Sequence, residues 1–224
     1  MRHTTETDRA VRLQVAGVAL AGDLTLPAAA RGVVLFAHGS GSSRHSPRNR
    51  YVARVLREAG VGTLLMDLLT REEERAEAAT GHLRFDIPLL AGRLGTAIEW
   101  LAADSETRDL PVGLFGASTG GGAALVAASE RPAAVHAVVS RGGRPDLAGE
   151  ALAGVRAPTL LVVGERDHAV IAMNRDALAR LPCEKRLEIV PGASHLFEEP
   201  GTLERVALLA AGWFERYLRP APRR

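Results

Sequence analysis

The chain has 224 residues, 46% of them hydrophobic and 24% charged, a balance that supports a buried core and excludes a mainly disordered chain. Its 28 basic and 26 acidic side chains leave a formal charge of +2, with no basic run suited to a nucleic-acid surface. Cys183 is the one cysteine, which excludes an internal disulfide and sets the expectation of a soluble cytoplasmic domain.

The opening segment MRHTTETDRAVRLQ has no apolar stretch, so no signal peptide is expected. Val11–Gly17 and Val18–Pro27 read as two strands of an antiparallel hairpin. Val33–Gly39 is a short continuous apolar run, the pattern of a strand buried on both faces. Pro47 opens a helix that stops at Gly60. Val61–Asp67 is a strand. The acidic stretch TREEERAEAATGH that follows reads as a long surface loop. Asp86–Ala103 is a helix, with Leu90, Leu94, Ala97, Ile98 and Leu101 at helical spacing. Leu110–Gly116 is a strand that runs directly into the helix STGGGAALVAASE. Leu110–Ser129 carries no charge, but five glycines and Pro111 make it far less apolar than a membrane span. Then come a strand at Val135–Ser140, a short helix near Asp146–Ala153, a strand at Ala157–Gly164, a helix near Ile171–Leu181, a strand at Lys185–Gly192 and a closing helix near Leu203–Leu218. The tail RPAPRR is expected to fray. This alternation predicts one α/β domain over 1–224, ordered from about 11 to 218, with a mainly parallel sheet.

The sharpest local signal is Gly116-Ala117-Ser118-Thr119-Gly120, a G-x-S-x-G motif between a strand and a helix. A tight turn there strains the serine backbone and lifts its hydroxyl above the carboxyl end of the sheet. A helix N-terminus beside it supplies N–H groups to a developing oxyanion. A serine needs a base. Of the seven histidines, His3 lies in the N-terminal tail and His136 inside a strand. His168 adjoins an acid candidate too closely in sequence to serve a distant serine. His195, in Gly192-Ala193-Ser194-His195 after the last strand, is the candidate base. Asp167, closing the strand Ala157–Gly164, is the leading candidate to orient it, with Glu165 and Asp67 as alternatives. The loop His38-Gly39-Ser40-Gly41 is the source of a second oxyanion donor, the Ser40 N–H, joined by the Thr119 N–H. His38 is expected to brace this loop.

HGSG, GASTG, GERD and GASH, in this order after successive strands, resemble the α/β-hydrolase superfamily, over about Val18–Tyr217. The resemblance implies an α/β-hydrolase fold with a mostly parallel eight-stranded sheet and helices on both faces. Only 16 residues separate Ser140 from Ala157, which leaves no room for a large lid. The chain looks most like the small dienelactone-hydrolase-like branch, with Ser118 where dienelactone hydrolase itself uses cysteine. The activity implied is that of a serine esterase.

Arg44, His45, Arg48 and Arg141 lie where the loops flank the pocket and are weaker candidates for binding substrate, as carboxylate ligands or as plain surface groups; Arg144 is a further one. Phe85, Leu68, Leu69, Leu196 and Phe197 are equally open as acyl-pocket or core residues. No Walker A lysine, H-E-x-x-H or G-x-G-x-x-G is present, so no cofactor and no metal is expected. The expected partner is a small ester or thioester, with no nucleic acid and no membrane; a homodimer is left open. A ligand-binding relative with a weak triad, or amide hydrolysis on the same residues, is the alternative.

Overall fold

The structure is a computed structural model that describes residues 6–15 and 17–219. The expectations for the first residues and for the tail beyond 219 lie outside the described residues. In chain order the elements are β1 (Thr7–Val15), β2 (Val18–Leu26), β3 (Val33–Ala37), α1 (Pro47–Glu58), β4 (Gly62–Met66), α2 (Arg71–Thr80), α3 (Ile87–Ala103), β5 (Val112–Ala117), α4 (Thr119–Glu130), β6 (Val135–Arg141), β7 (Thr159–Gly164), α5 (His168–Arg180), β8 (Lys185–Val190) and α6 (Thr202–Tyr217). Short 3-10 turns precede α3 and follow β6.

The strands form one eight-stranded sheet in the order β1-β2-β4-β3-β5-β6-β7-β8. β1 and β2 pair antiparallel in register from Thr7↔Leu26 to Val15↔Val18. β2 also runs antiparallel to β4. The remaining pairs are parallel. β3 lies between β4 and β5 and is buried along its whole length, which is why it reads as an unbroken apolar run.

The two faces of the sheet carry separate cores. Val33, Leu35, Leu64 and Leu114 point to the face covered by α3 and α4. Val34, Phe36, Leu65, Phe115 and Val139 point to the face covered by α1 and α6. Phe36 and Phe115 meet there with ring centroids 4.9 Å apart.

The helix starts follow from local chemistry. Ser46 caps α1 by accepting the Asn49 N–H at 3.3 Å, with Pro47 in the first turn. Asp86 caps α3 through the Leu89 N–H at 3.0 Å. Two elements differ from the sequence reading. The acidic stretch forms the helix α2 instead of a loop. Thr70 N–H donates to Glu73 Oε2 at 2.7 Å, and Glu73 N–H donates back to Thr70 Oγ1 at 3.2 Å, a reciprocal capping box. Arg93 of α3 then grips both Glu73 oxygens, at 2.8 and 2.5 Å. The segment Pro145–Gly154 is a 3-10 turn broken at Gly149, whose φ is 52°, instead of an α-helix. Among the described residues no helix is long and apolar enough to cross a membrane.

Candidate active site

Five chain crossings converge at the carboxyl edge of the central strands: the ends of β3, β5, β6 and β7, and the loop after β8. This is where open α/β sheets place their ligands.

Ser118 stands between β5 and α4 with φ 51° and ψ −121°, a conformation rarely adopted outside glycine. Its backbone is fixed from several sides. Its N–H donates to the Arg141 carbonyl at 3.2 Å, and its carbonyl accepts from Gly121 N–H at 2.9 Å and Arg144 N–H at 3.0 Å. Small residues make the turn possible. A Cβ on Gly116 would lie 2.5 Å from the Gly120 carbonyl oxygen and from the Gly121 Cα, and one on Gly120 would collide with the Ala37 carbonyl. The Ser118 hydroxyl does not cap α4, and among the described residues it makes no hydrogen bond.

His195 and Asp167 meet as the sequence predicts. The ring Nδ1 lies 2.5 Å from Asp167 Oδ2, with the Asp167 side chain 15% exposed and His195 38% exposed. That bond places the Nδ1 proton toward the carboxylate and leaves Nε2 as the free ring nitrogen. The ring packs over Gly142, whose Cβ position lies 3.5 Å from both Cε1 and Nδ1 of His195. Gly142 follows Arg141, the residue that receives the Ser118 N–H, so the His195 ring lies against the strand end that also holds the Ser118 backbone. The loops that carry Asp167 and His195 are stitched together. Glu165 N–H reaches the Val190 carbonyl at 3.0 Å, Arg166 N–H the Ala193 carbonyl at 2.9 Å, and Gly192 N–H the Glu165 carboxylate at 2.8 Å. The Ser194 N–H donates to Glu199 at 3.0 Å and holds that carboxyl below its ordinary range.

His38 braces its loop in both directions. Its Nε2 accepts the Leu68 N–H at 2.9 Å, so Nδ1 carries the proton that faces the Gly39 carbonyl at 3.0 Å. Burial pushes its pKa down, against the Gly39 bond and the Asp67 charge, which raise it. The Ser40 N–H donates to Thr119 Oγ1 at 3.0 Å, which joins the two expected oxyanion residues across the elbow. Beside them opens a cavity of about 530 Å³, walled by the loop after β3, by Leu68, Leu69 and Leu90, and by Thr119.

The weaker candidates separate. Arg44 is engaged by Asp67, through its backbone N–H at 2.8 Å and its guanidinium, with Asp23 3.5 Å away. His45 is exposed on the cavity rim. Arg48 sits in the first turn of α1, with Glu198 at 3.7 Å, and Arg141 is buried at the end of β6. Arg144 is held by Asp146. Leu68 and Leu69 line the cavity, whereas Phe197 belongs to the core and Phe85 and Leu196 are exposed. His168 is exposed in the first turn of α5. Leu90, Glu74 and Arg84 also reach the cavity. Nothing in the sequence singles out Glu74 or Arg84 as site residues; Glu74 reaches the cavity because the acidic stretch folds into α2. Among the described residues no group of three or more His, Cys, Asp or Glu is arranged to hold a metal ion.

Comparison with known proteins agrees with this architecture. A crystal structure of dienelactone hydrolase from Anabaena variabilis is 63% identical and covers 97% of this chain and all of its own, with a TM-score of 0.94. Est1E from Butyrivibrio proteoclasticus shares the fold at 16% identity, with a TM-score of 0.77 over 92% of this chain and 98% of its own. Two curated Mycobacterium tuberculosis proteins, provisionally named phosphoribosyl transferases, are 59% identical over 94% of this chain; the chain spans about half of their length, 47%. The pattern of the dienelactone hydrolase family matches residues 20–215. On this match and on its eight-stranded fold, the chain belongs to the dienelactone hydrolase family of α/β hydrolases.

Proposed function

We propose that the chain is a serine hydrolase that cleaves a carboxylic ester, lactone or thioester of a small soluble substrate. The observation that carries this reading is the 2.5 Å bond between His195 Nδ1 and Asp167 Oδ2, beside a serine held at φ 51° in its elbow. In this reading Ser118 Oγ attacks the carbonyl carbon while its proton passes to His195 Nε2. Asp167 fixes the imidazole tautomer and stabilises the imidazolium. The oxyanion is received by the Thr119 N–H and by the Ser40 N–H, which exchanges the Thr119 hydroxyl for it. The protonated His195 hands its proton to the leaving oxygen or sulfur as the bond to carbon breaks. Water, activated by His195, then attacks the acyl-enzyme and restores the Ser118 hydroxyl. The cavity beside Leu68 and Leu69 supports an apolar acyl or alcohol portion. The transferase name of the longer relatives is assigned in this reading to the half that this chain does not match.

Ser118→Ala lowers turnover of a short-chain p-nitrophenyl ester at least ~10³-fold, by the scale of triad deletions. A fluorophosphonate probe adds its mass to Ser118 and to no other residue. Wild-type turnover in the alanine variant overturns the assignment. An inert Ser118 in an otherwise folded protein favours a ligand-binding relative.

A further inference from the structure

The end of β6 holds a charge that the triad does not use. Arg141 is 7% exposed. Among the described residues its guanidinium has no ion pair and no hydrogen bond, and its Nε and Nη1 are enclosed without an acceptor. The Phe197 ring lies across it, with its centroid 5.9 Å from Cζ. Burial, and then the nearby charge of Arg48, brings the Arg141 pKa down to about 10. Arg48 reaches this place from the first turn of α1, and its own Nε is also enclosed without an acceptor. Among the described residues its one carboxylate partner, Glu198, stands 3.7 Å away and is 64% exposed.

A buried guanidinium without a partner is costly, and a second cation beside it raises the cost. An anion relieves both. The backbone of Arg141 adjoins the elbow, because its carbonyl receives the Ser118 N–H at 3.2 Å and the next residue, Gly142, backs the His195 ring. A single guanidinium fork already satisfies a planar carboxylate. Two guanidiniums arriving from different elements suit a tetrahedral group with a double charge. We propose that Arg141 and Arg48 form a subsite for a phosphate group carried by the ester substrate, beside Ser118. The ester part of this statement rests on the serine-hydrolase reading above; the binding of phosphate does not.

The test follows thermal unfolding of the whole chain with inorganic phosphate and, at equal ionic strength, with acetate. It uses wild type, Arg141→Met, Arg48→Gln and Ser118→Ala. In parallel, kcat/KM is compared for acetylglycerol and acetylglycerol phosphate. Phosphate raises Tm in wild type and in Ser118→Ala, and acetate does not. The apparent phosphate affinity falls about tenfold or more in each arginine variant. The phosphorylated ester is preferred about tenfold or more by wild type, and that preference collapses in both arginine variants. If Arg141→Met does not fold, Arg48→Gln carries the comparison, since the Arg48 side chain is 34% exposed. A Tm that ignores phosphate, or responds equally to acetate, overturns the subsite. A phosphate response without preference for the phosphorylated ester reveals a site for free phosphate and overturns the link to substrate. Ester turnover that survives in Ser118→Ala refutes the hydrolase reading alone, because the Tm response is read separately.

Discussion

Gly116→Ala probes how the elbow is built. The new methyl carbon would stand 2.5 Å from both the Gly120 carbonyl oxygen and the Gly121 Cα. Ordinary carbon contacts begin near 3.5 Å, so the start of α4 must retreat by about 1 Å, the difference between the two distances. Both obstacles are backbone, so no side chain can turn away. Overpacking of this kind costs about 1–3 kcal/mol, and a shift of about 1 Å at a reacting group is worth up to about 100-fold in rate. Gly92→Ala is the control. It lies in α3 with nothing within 4 Å of the added carbon, and should gain about 1 kcal/mol from helix propensity. Urea unfolding gives the two stabilities from the shift in midpoint at constant slope, and a p-nitrophenyl ester gives the rate. Wild-type stability and turnover in Gly116→Ala would show that α4 yields freely, and would refute the claim that close packing of glycines positions Ser118.

Three further outcomes follow from named contacts. Glu73→Gln weakens both the cap of α2 and its grip on Arg93, whose side chain is only 5% exposed. The expected loss is about 1–3 kcal/mol, measured by urea unfolding; an unchanged midpoint contradicts the anchoring role. His38 has a folded pKa below its ordinary 6.5, so the unfolded chain takes the proton first as pH falls. Its contribution to stability is therefore complete above pH 6.5 and is lost as pH drops through the folded value. His38→Gln, which can still accept from Leu68 and donate to Gly39, should flatten the acid side of a Tm–pH profile, and an identical profile would count against this account. Thr119→Val frees the Ser40 N–H and should raise kcat/KM for a short ester roughly fivefold, the equivalent of about 1 kcal/mol. A fall in kcat instead identifies the hydroxyl as a donor to the oxyanion.

The sheet was legible because its central strands are buried on both faces and appear as unbroken apolar runs. β3 is the plainest case, with Val33 to Ala37 all buried. α2 was missed because it has no apolar stripe. Its stability comes from Thr70 and Glu73 capping each other and from Arg93, twenty positions further on. The Thr70-x-x-Glu73 signature was nevertheless present and is the local clue to this helix. Ser118, Asp167 and His195 were legible because each sits just past a strand end, in an order that a single sheet brings together. The arginines were not separable by sequence. Arg44 and Arg141 look alike in a chain with 28 basic residues, yet one meets Asp67 and the other meets no carboxylate among the described residues. That distinction depends on which elements stack across a face, and no local pattern records it.

The bonds between the loops after β7 and β8 have a mechanical consequence. Asp167 and His195 travel as one part, since the backbone contacts of Glu165, Arg166 and Gly192 tie their loops together. Ser118 is anchored separately, to the end of β6 through Arg141 and to the turn after it through Arg144. The bond from the Gly142 N–H to the Val162 carbonyl, at 2.7 Å, joins the two parts across the ends of β6 and β7. In the hydrolase reading proposed above, the spacing between imidazole and serine is therefore set at one seam, between the ends of β6 and β7.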